Sequence, residues 1–158
     1  DYGTRGPKSW PRKKMPKVQG LDHVAIVVED LDVATKHWVE VLGLRGGERE
    51  IVESQGVEVQ ILFAGETRIE LVCPLSASSS VAGFLEKRGP GIHHLALKVD
   101  NTADAIKDVL DCGEEMIHTS PQAGAHQTSI AFVHPKSADG VLLEWVQNPQ
   151  PPDSEPTQ

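Results

Sequence analysis

The sequence predicts an α+β fold in which two tandem βαβββ modules form one open, cup-shaped sheet. The chain has 158 residues, 39% of them hydrophobic, which is enough for a single core of ordinary size. Residues 21–30 match residues 92–101 at an offset of 71, with histidine, alanine and valine at equivalent places. A further match pairs residues 67–72 with residues 140–146 near the end of each half. Each half is therefore expected to follow the same structural plan.

The first module is predicted over residues 20–75. It begins with an apolar strand at 22–28, followed by apolar residues at helical spacing. Asp30 or Asp32 can cap the start of this helix, and Gly43 can end it. Three further strands are predicted from the apolar runs between turn residues, at about 47–53, 57–63 and 67–73.

The second module is predicted over residues 91–147. It repeats the plan with a strand at 93–99 and a helix at 102–111. Its last three strands are predicted near 115–119, 128–134 and 140–146. A linker helix at about 78–88, capped by a serine, is expected to join the two modules.

The two ends of the chain have a different composition from this body. Residues 1–19 carry six Lys or Arg and one Asp, so their net charge is +5. Because the whole chain has a net charge of −8, the remaining residues carry −13. Proline and the scarcity of apolar residues predict a disordered basic arm at 1–19 and a disordered tail at 148–158. Residues 20–147 are then one domain. Its negative charge argues against nucleic acid as a partner.

Membrane insertion and disulfide bonding are also disfavoured. No apolar run approaches the roughly 18 residues that a membrane-spanning helix needs. Only two cysteines, Cys73 and Cys112, are present, which fits free thiols in a reducing compartment. We expect a cytoplasmic location, with the mitochondrial matrix as the alternative that the basic arm leaves open.

Two histidines and two glutamates occupy equivalent positions in the halves. His23 and His94 begin equivalent strands, and Glu70 and Glu144 interrupt otherwise apolar final strands. A buried, unpaired carboxylate is costly, so such a glutamate needs a cation, a hydrogen-bond partner or exposure to water. If the modules pack about a pseudo-twofold axis, these side chains converge on a mixed nitrogen and oxygen site for a divalent metal. Strand alternation places His93 on the face opposite His94, so we assign it a structural role.

Three stretches carry a resemblance to a known family. They are LDHVAIVVEDLD at 21–32, GIHHLALKVD at 91–100 and GAHQTSIAFVHPKSADGVLLE at 124–144. With the duplicated βαβββ plan, they resemble the vicinal oxygen chelate superfamily, and within it the methylmalonyl-CoA epimerases. The resemblance covers roughly residues 20–147 and implies a glyoxalase-like fold with the sheet curled around a metal site.

The resemblance also implies a function and a set of site residues. The metal ligands would be His23, Glu70, His94 and Glu144, and the ion would be Co²⁺ first, with Mn²⁺, Ni²⁺, Zn²⁺ or Mg²⁺ as alternatives. The protein would be a metal-dependent isomerase that interconverts the C2 epimers of methylmalonyl-CoA, or of a similar 2-substituted malonyl thioester, through a metal-stabilised enolate. Glu144 would be one catalytic base, and Lys136 would bind the acidic groups of coenzyme A or the substrate carboxylate. A homodimer is expected on the resemblance alone.

The sequence departs from the family pattern at two positions. Val59 stands where some epimerases have a second glutamate base, which leaves Glu53, Glu48, a bound water or a shift of the strand as alternatives. Gln127 stands where the family stretch usually has glycine. Two other functions therefore stay open: a glyoxalase I-like lactoylglutathione lyase, and a non-catalytic protein that binds a small molecule in the cup.

Overall fold

The computed structural model describes residues 14–150 of the chain. Residues 1–13 and 151–158, which hold most of the predicted basic arm and tail, lie outside the described residues, so their disorder stays a prediction. The first strand begins at Val18, two residues before the predicted start of the domain. The last strand ends at Gln147. Within the described residues, no helix is long and apolar enough to cross a membrane.

The order of elements in the first half is the predicted one. Its elements are β1 (Val18–Val27), α1 (Leu31–Glu40), β2 (Arg45–Val52), β3 (Val57–Ala64) and β4 (Thr67–Pro74). Asp30 caps α1 by accepting a hydrogen bond from the Val33 amide at 2.9 Å. A connecting helix, α2 (Ser80–Arg88), follows with Ser79 as its N-cap.

The second half repeats this order with one difference. Its elements are β5 (Gly91–Val99), α3 (Thr102–Asp111), β6 (Gln122–Ala123), β7 (Ser129–Val133) and β8 (Leu143–Gln147). The predicted strand at 115–119 is wrong, because a single bridge between Met116 and Val133 is all that forms there. The side chain of His118 accepts the Phe132 amide at 3.1 Å, so a side chain takes the place of a backbone partner and the ladder ends.

All eight strands form one sheet in the order β2-β3-β4-β1-β5-β8-β7-β6. The order of the second half mirrors that of the first about the antiparallel pair β1 and β5. In each half, the first strand pairs in parallel with the last, β1 with β4 and β5 with β8. The pseudo-twofold axis predicted from the repeat therefore passes between β1 and β5. The first and last strands of both halves lie together at the centre of the sheet.

The two faces of the sheet have different coverings. Helix α1 packs on the outer face against Leu62 and Leu71, and α3 packs there against Val133 and Trp145. Because side chains alternate along a strand, the neighbours Glu70 and Glu144 of these core residues point to the inner face. The inner face is therefore where the four candidate ligands can meet.

Candidate active site

The four sequence-predicted ligands lie on the four central strands. Across β4, β1 and β5, Glu70 is level with Ala25, which is level with His94. Across β1, β5 and β8, His23 is level with Ala96, which is level with Glu144. Ala25 and Ala96 are equivalent in the repeat and fully buried. A small side chain at the middle of each row leaves room for the histidines and glutamates to turn toward one another.

These side chains meet in a buried cluster. His23, His94 and Glu144 each offer one ligand atom, and the three atoms lie within 4.8 Å of one another. The Nε2 atoms of His23 and His94 are 3.3 Å apart, and Glu144 Oε2 is 2.6 Å from His94 Nε2. Glu70 does not belong to this group of three, although its Oε2 lies 3.2 Å from His23 Nε2. All four residues are less than 9% exposed.

A β-bulge in each half supplies a second group behind each histidine. Between β1 and β5 the register shifts at Leu21/His23 and at Ala25/Ile26, which makes Asp22 and His93 the extra residues. The bulges bring each extra residue beside the histidine that follows it. Asp22 Oδ2 lies 2.7 Å from His23 Nδ1, and His93 Nδ1 lies 2.8 Å from His94 Nδ1.

The prediction that His93 faces away from His94 is therefore wrong. The two rings contact each other with centroids 5.2 Å apart, and both residues line the same cavity. Strict alternation fails here because the bulge adds one residue to the strand. Asp22 contacts Nδ1 of His23, and His93 contacts Nδ1 of His94. The Nε2 atoms of both His23 and His94 are therefore left directed into the cluster.

The two halves of the cluster differ electrostatically. Burial alone would lower the pKa of His23, but Asp22 and the carboxylates of Glu144 and Glu70 outweigh it and raise the pKa to about 10. Burial alone would raise the pKa of Glu144, but hydrogen bonds to His23 and His94 lower it to about 2.

Two other ionisable groups at the cluster, Glu70 and His93, respond mainly to burial. Burial raises the pKa of Glu70 and lowers that of His93 to about 4. His93 is consequently neutral near neutral pH, so its Nδ1 can accept the Nδ1–H of His94. Asp22 instead accepts the Nδ1–H of His23 as a carboxylate.

This donor set fits a divalent metal. Two imidazole Nε2 atoms and a carboxylate oxygen converge, and each imidazole has its other nitrogen fixed by a neighbour, as is usual for metal-bound histidines. Three buried carboxylates, those of Asp22, Glu70 and Glu144, lie around two histidines. A cation at the cluster would balance this buried negative charge.

The cluster forms one wall of a cavity of about 350 Å³ inside the cup. Away from the cluster, an apolar wall is formed by Val52, Val57, Val59 and Val72 of the first half and by Val81 of α2. The second half contributes His118, His126 and Phe132. Arg68 is the only lysine or arginine among the described residues that lines this cavity. A cavity of this size and composition suits a small organic group with a few polar atoms.

Comparison with known proteins agrees with this geometry. Residues 22–132 match the Glyoxalase/Bleomycin resistance protein/Dioxygenase superfamily. The mitochondrial methylmalonyl-CoA epimerase of Mus musculus is 35% identical over 144 residues, covering 89% of this chain and 81% of its own. The chain belongs to the methylmalonyl-CoA epimerase family.

Two solved structures of this family superpose on the chain. The methylmalonyl-CoA epimerase of Mycobacterium tuberculosis has a TM-score of 0.80 and 38% identity, covering 84% of this chain and 90% of its own. A methylmalonyl-CoA epimerase in complex with methylmalonyl-CoA and NH4+ has a TM-score of 0.78 and 28% identity, covering 84% of this chain and 96% of its own. The predicted fold class, two βαβββ modules in a curled sheet, is confirmed.

Not every other residue predicted for the site lines the cavity. Lys136 is exposed on the turn Pro135–Ser137 and does not line the cavity, so its role toward coenzyme A stays a prediction. Glu48 and Glu53, the alternatives for a second base, are not cavity-lining residues either. Val59 does line the cavity, as an apolar residue.

Sequence reasoning missed several polar residues of the epimerase-family cavity. They are Asp22, Arg68, His93, His118 and His126. The aligned pairs Asp22-His23 and His93-His94 were a usable signal, since both hold a polar residue directly before the candidate ligand. Arg68, His118 and His126 have no such counterpart in the repeat, so the pattern could not single them out.

Proposed function

We propose that this protein is a metal-dependent epimerase that interconverts the C2 epimers of methylmalonyl-CoA or a closely similar 2-substituted malonyl thioester. The observation that carries the proposal is the buried cluster of His23, His94 and Glu144 on the wall of a small cavity, in a chain of the methylmalonyl-CoA epimerase family. Epimerisation requires a proton to leave C2, which lies between two carbonyl groups, and to return on the other face. Negative charge develops on the thioester oxygen as the proton leaves.

His23, His94 and Glu144 would hold the metal, with Glu70 as the fourth ligand. A bound divalent cation would act as a Lewis acid toward the oxygen on which negative charge develops. The donor chemistry suits a divalent metal ion, and on the family resemblance we propose Co²⁺ first, with Mn²⁺, Ni²⁺, Zn²⁺ or Mg²⁺ as alternatives. Asp22 and His93 fix the orientation of the two histidine rings.

Glu144 is the proposed base on one face of C2. Its contacts with His23 and His94 keep it ionised, and it is 5% exposed, so few water molecules compete for the carboxylate. The valine wall of the cavity accommodates the small acyl group and keeps the dielectric low, which strengthens charge stabilisation at the cluster.

The coenzyme A portion of the substrate is expected to extend out of the cup. Lys136, exposed on its turn, is proposed to contact the acidic groups of coenzyme A there. Arg68 is the cationic group suited to the substrate carboxylate inside the cavity, because its guanidinium can bind a carboxylate in a bidentate manner. We further propose a homodimer, on the family resemblance, and a cytoplasmic or mitochondrial matrix location, the latter supported by the mitochondrial mouse relative.

Proton NMR in deuterated water tests this function. The metal-supplemented protein should exchange the C2 proton of methylmalonyl-CoA for deuterium and equilibrate the two epimers. Glu144→Ala should abolish both reactions, whereas Glu66→Ala, on the exposed turn between β3 and β4, should not. If the wild-type protein gave no exchange and instead formed a thioester from methylglyoxal and glutathione, the lyase alternative would replace this proposal.

A further inference from the structure

We propose that His126, oriented by Glu50, is the second proton-transfer residue and acts on the face of the substrate opposite Glu144. This inference rests on the proposed epimerase function. It answers a question that the sequence raises, because Val59 occupies the position at which some relatives carry a second glutamate base.

The two edges of the curled sheet meet at His126. Residues 123–127, here termed the closure segment, begin at the last residue of edge strand β6 and reach across to β2 and the turn after it. Ser54 Oγ donates a hydrogen bond to the Ala123 carbonyl at 2.9 Å, and the His126 amide donates to Glu50 Oε2 at 2.8 Å. Ala125 packs against the valine wall.

This placement sets His126 across the cavity from the metal cluster. Glu144 lies on β8, one of the four central strands, whereas His126 lies where the outermost strands come together. Both residues line the same cavity. In a curled sheet the centre and the meeting edges form facing walls, so a planar group bound between them presents one face to Glu144 and the other to His126.

The two ring nitrogens of His126 have different surroundings. Its Nδ1 lies 3.3 Å from Glu50 Oε2 and 3.5 Å from Glu48 Oε2. Its Nε2 is buried and has no hydrogen-bond partner among the described residues. A buried nitrogen without a partner is energetically costly, and a hydrogen bond to a bound substrate would remove that cost. A carboxylate beside Nδ1, with Nε2 left without a protein partner, is an arrangement that suits a histidine acid-base catalyst.

The backbone at His126 also depends on Glu50. His126 has φ 55°, in the left-handed region that residues with a Cβ seldom adopt. The Glu50 carboxylate accepts the backbone amide of His126 and lies beside its ring at the same time. Glu50 therefore acts as a positioning residue for the imidazole.

The position of Val59 connects this pair to the missing glutamate. Val59 on β3 is the cross-strand partner of Glu50 on β2, so their side chains lie on the same face of the sheet. This chain has an apolar residue at the site of the missing base and a carboxylate one strand away. The Glu50 carboxylate holds the His126 imidazole at the cavity. A group able to transfer a proton is therefore present on the wall that contains Val59.

The proposed reaction balances with two groups of opposite protonation. In one direction, the Glu144 carboxylate takes the C2 proton and the electron pair of the C–H bond moves into the enolate of the substrate. The imidazolium of His126 then delivers its Nε2 proton to the opposite face of C2. Starting from the other epimer, neutral His126 takes the proton and the Glu144 carboxylic acid returns one. Exchange of both groups with water restores the starting states.

The test uses His126→Asn in the full-length, metal-loaded protein. Asparagine tolerates the left-handed backbone but cannot transfer a proton, so the fold should be retained. Each C2 epimer of methylmalonyl-CoA is incubated separately in deuterated water. Epimerisation should fall roughly 100-fold or more, while deuterium still enters the epimer whose proton Glu144 removes and no longer enters the other. Metal content, measured on the same sample, should be unchanged.

Two further variants complete the design. His37→Asn, the same change on the exposed side of α1, should keep wild-type exchange with both epimers. Glu50→Gln keeps a side-chain oxygen that can accept the His126 amide but removes the charge beside the ring. It should reduce exchange chiefly with the epimer that His126 deprotonates, which keeps the proposal testable if the Asn variant misfolds.

Two results would overturn the assignment of His126, and a third would contradict the epimerase function on which it rests. The first is epimerisation by His126→Asn within about threefold of wild type, below the range expected for loss of an acid-base catalyst. The second is equal loss of exchange with both epimers while the metal is retained, which would indicate substrate positioning instead. Absence of exchange and epimerisation in the wild-type protein would contradict the epimerase function itself, so the two failures are distinguishable.

Discussion

Metal binding to this protein is expected to release at least about one proton per ion near pH 7 to 8, and His23 is the source. The carboxylates around His23 raise its pKa to about 10, so a proton occupies the ring of the metal-free protein. Displacing that proton at pH 7 costs an incoming cation about 4 kcal/mol. The deprotonated ring is the form that binds. Below pH 10, the apparent affinity should therefore rise roughly tenfold for each unit by which the pH increases.

The neighbouring carboxylates affect the proton count in a defined direction. Glu144, with a pKa of about 2, is already ionised and contributes no proton. Glu70 has a pKa that burial raises, so any proton it still carries adds to the count. The expected value is therefore one or somewhat more and does not fall below one in this pH range.

Isothermal titration calorimetry of the chelator-treated protein in two buffers of different ionisation enthalpy gives the proton count directly. Asp22→Asn removes the first group that raises the pKa of His23, so its count at the same pH should be lower and its affinity should level off at a lower pH. Asp139→Asn, on an exposed turn, is the matched control. A count near zero for the wild-type protein, or an affinity that does not change between pH 7 and 8.5, would refute the assigned charge state of His23.

Two further predictions concern the support of the site and the core. The sequence alone predicts that His93→Ala retains most metal, but because His93 Nδ1 lies 2.8 Å from His94 Nδ1, we expect affinity to fall roughly tenfold in a chelator competition assay. An unchanged dissociation constant would favour the purely structural role. Leu62→Ala, at a fully buried position beneath α1, should lower the free energy of unfolding by about 2–5 kcal/mol in urea titrations. Leu42→Ala, at a position that is 51% exposed, should change it by less than about 1 kcal/mol, and equal effects would contradict the assigned core.

The repeat was sufficient to predict most of the fold and the central cluster. Equivalent strands must occupy equivalent places about a pseudo-twofold axis, so matching His23 with His94 and Glu70 with Glu144 also predicted that the four would meet. The apolar runs located seven of the eight strands closely. The exception, the edge strand of the second half, was placed at 115–119 instead of Gln122–Ala123. The ladder at 115–119 is interrupted by the His118 side chain, which accepts the Phe132 amide, and hydropathy does not describe such a contact.

The bulges and the closure segment could not be predicted in the same way. Alternation assigns faces on the assumption of an unbroken ladder, and nothing in HHLALKV marks His93 as an extra residue. The contact between Glu50 and His126 joins positions 76 residues apart, and no periodic pattern relates them. These contacts arise from the curvature of the assembled sheet, which brings its edges together only once both halves have folded.

Duplication places the same residue types at equivalent positions of the two halves. Moving a proton from one face of a carbon to the other instead requires one group that accepts a proton and one that donates it. The two bulges show how the difference arises: Asp22 places a carboxylate behind one ligand histidine, and His93 places a neutral imidazole behind the other. Glu144 contacts both histidines and stays ionised, while burial raises the pKa of its counterpart Glu70. The same symmetric scaffold thus holds two glutamates in different electrostatic surroundings. We propose Glu144, which contacts both histidines and which the family resemblance indicates, as the base on this wall of the cavity.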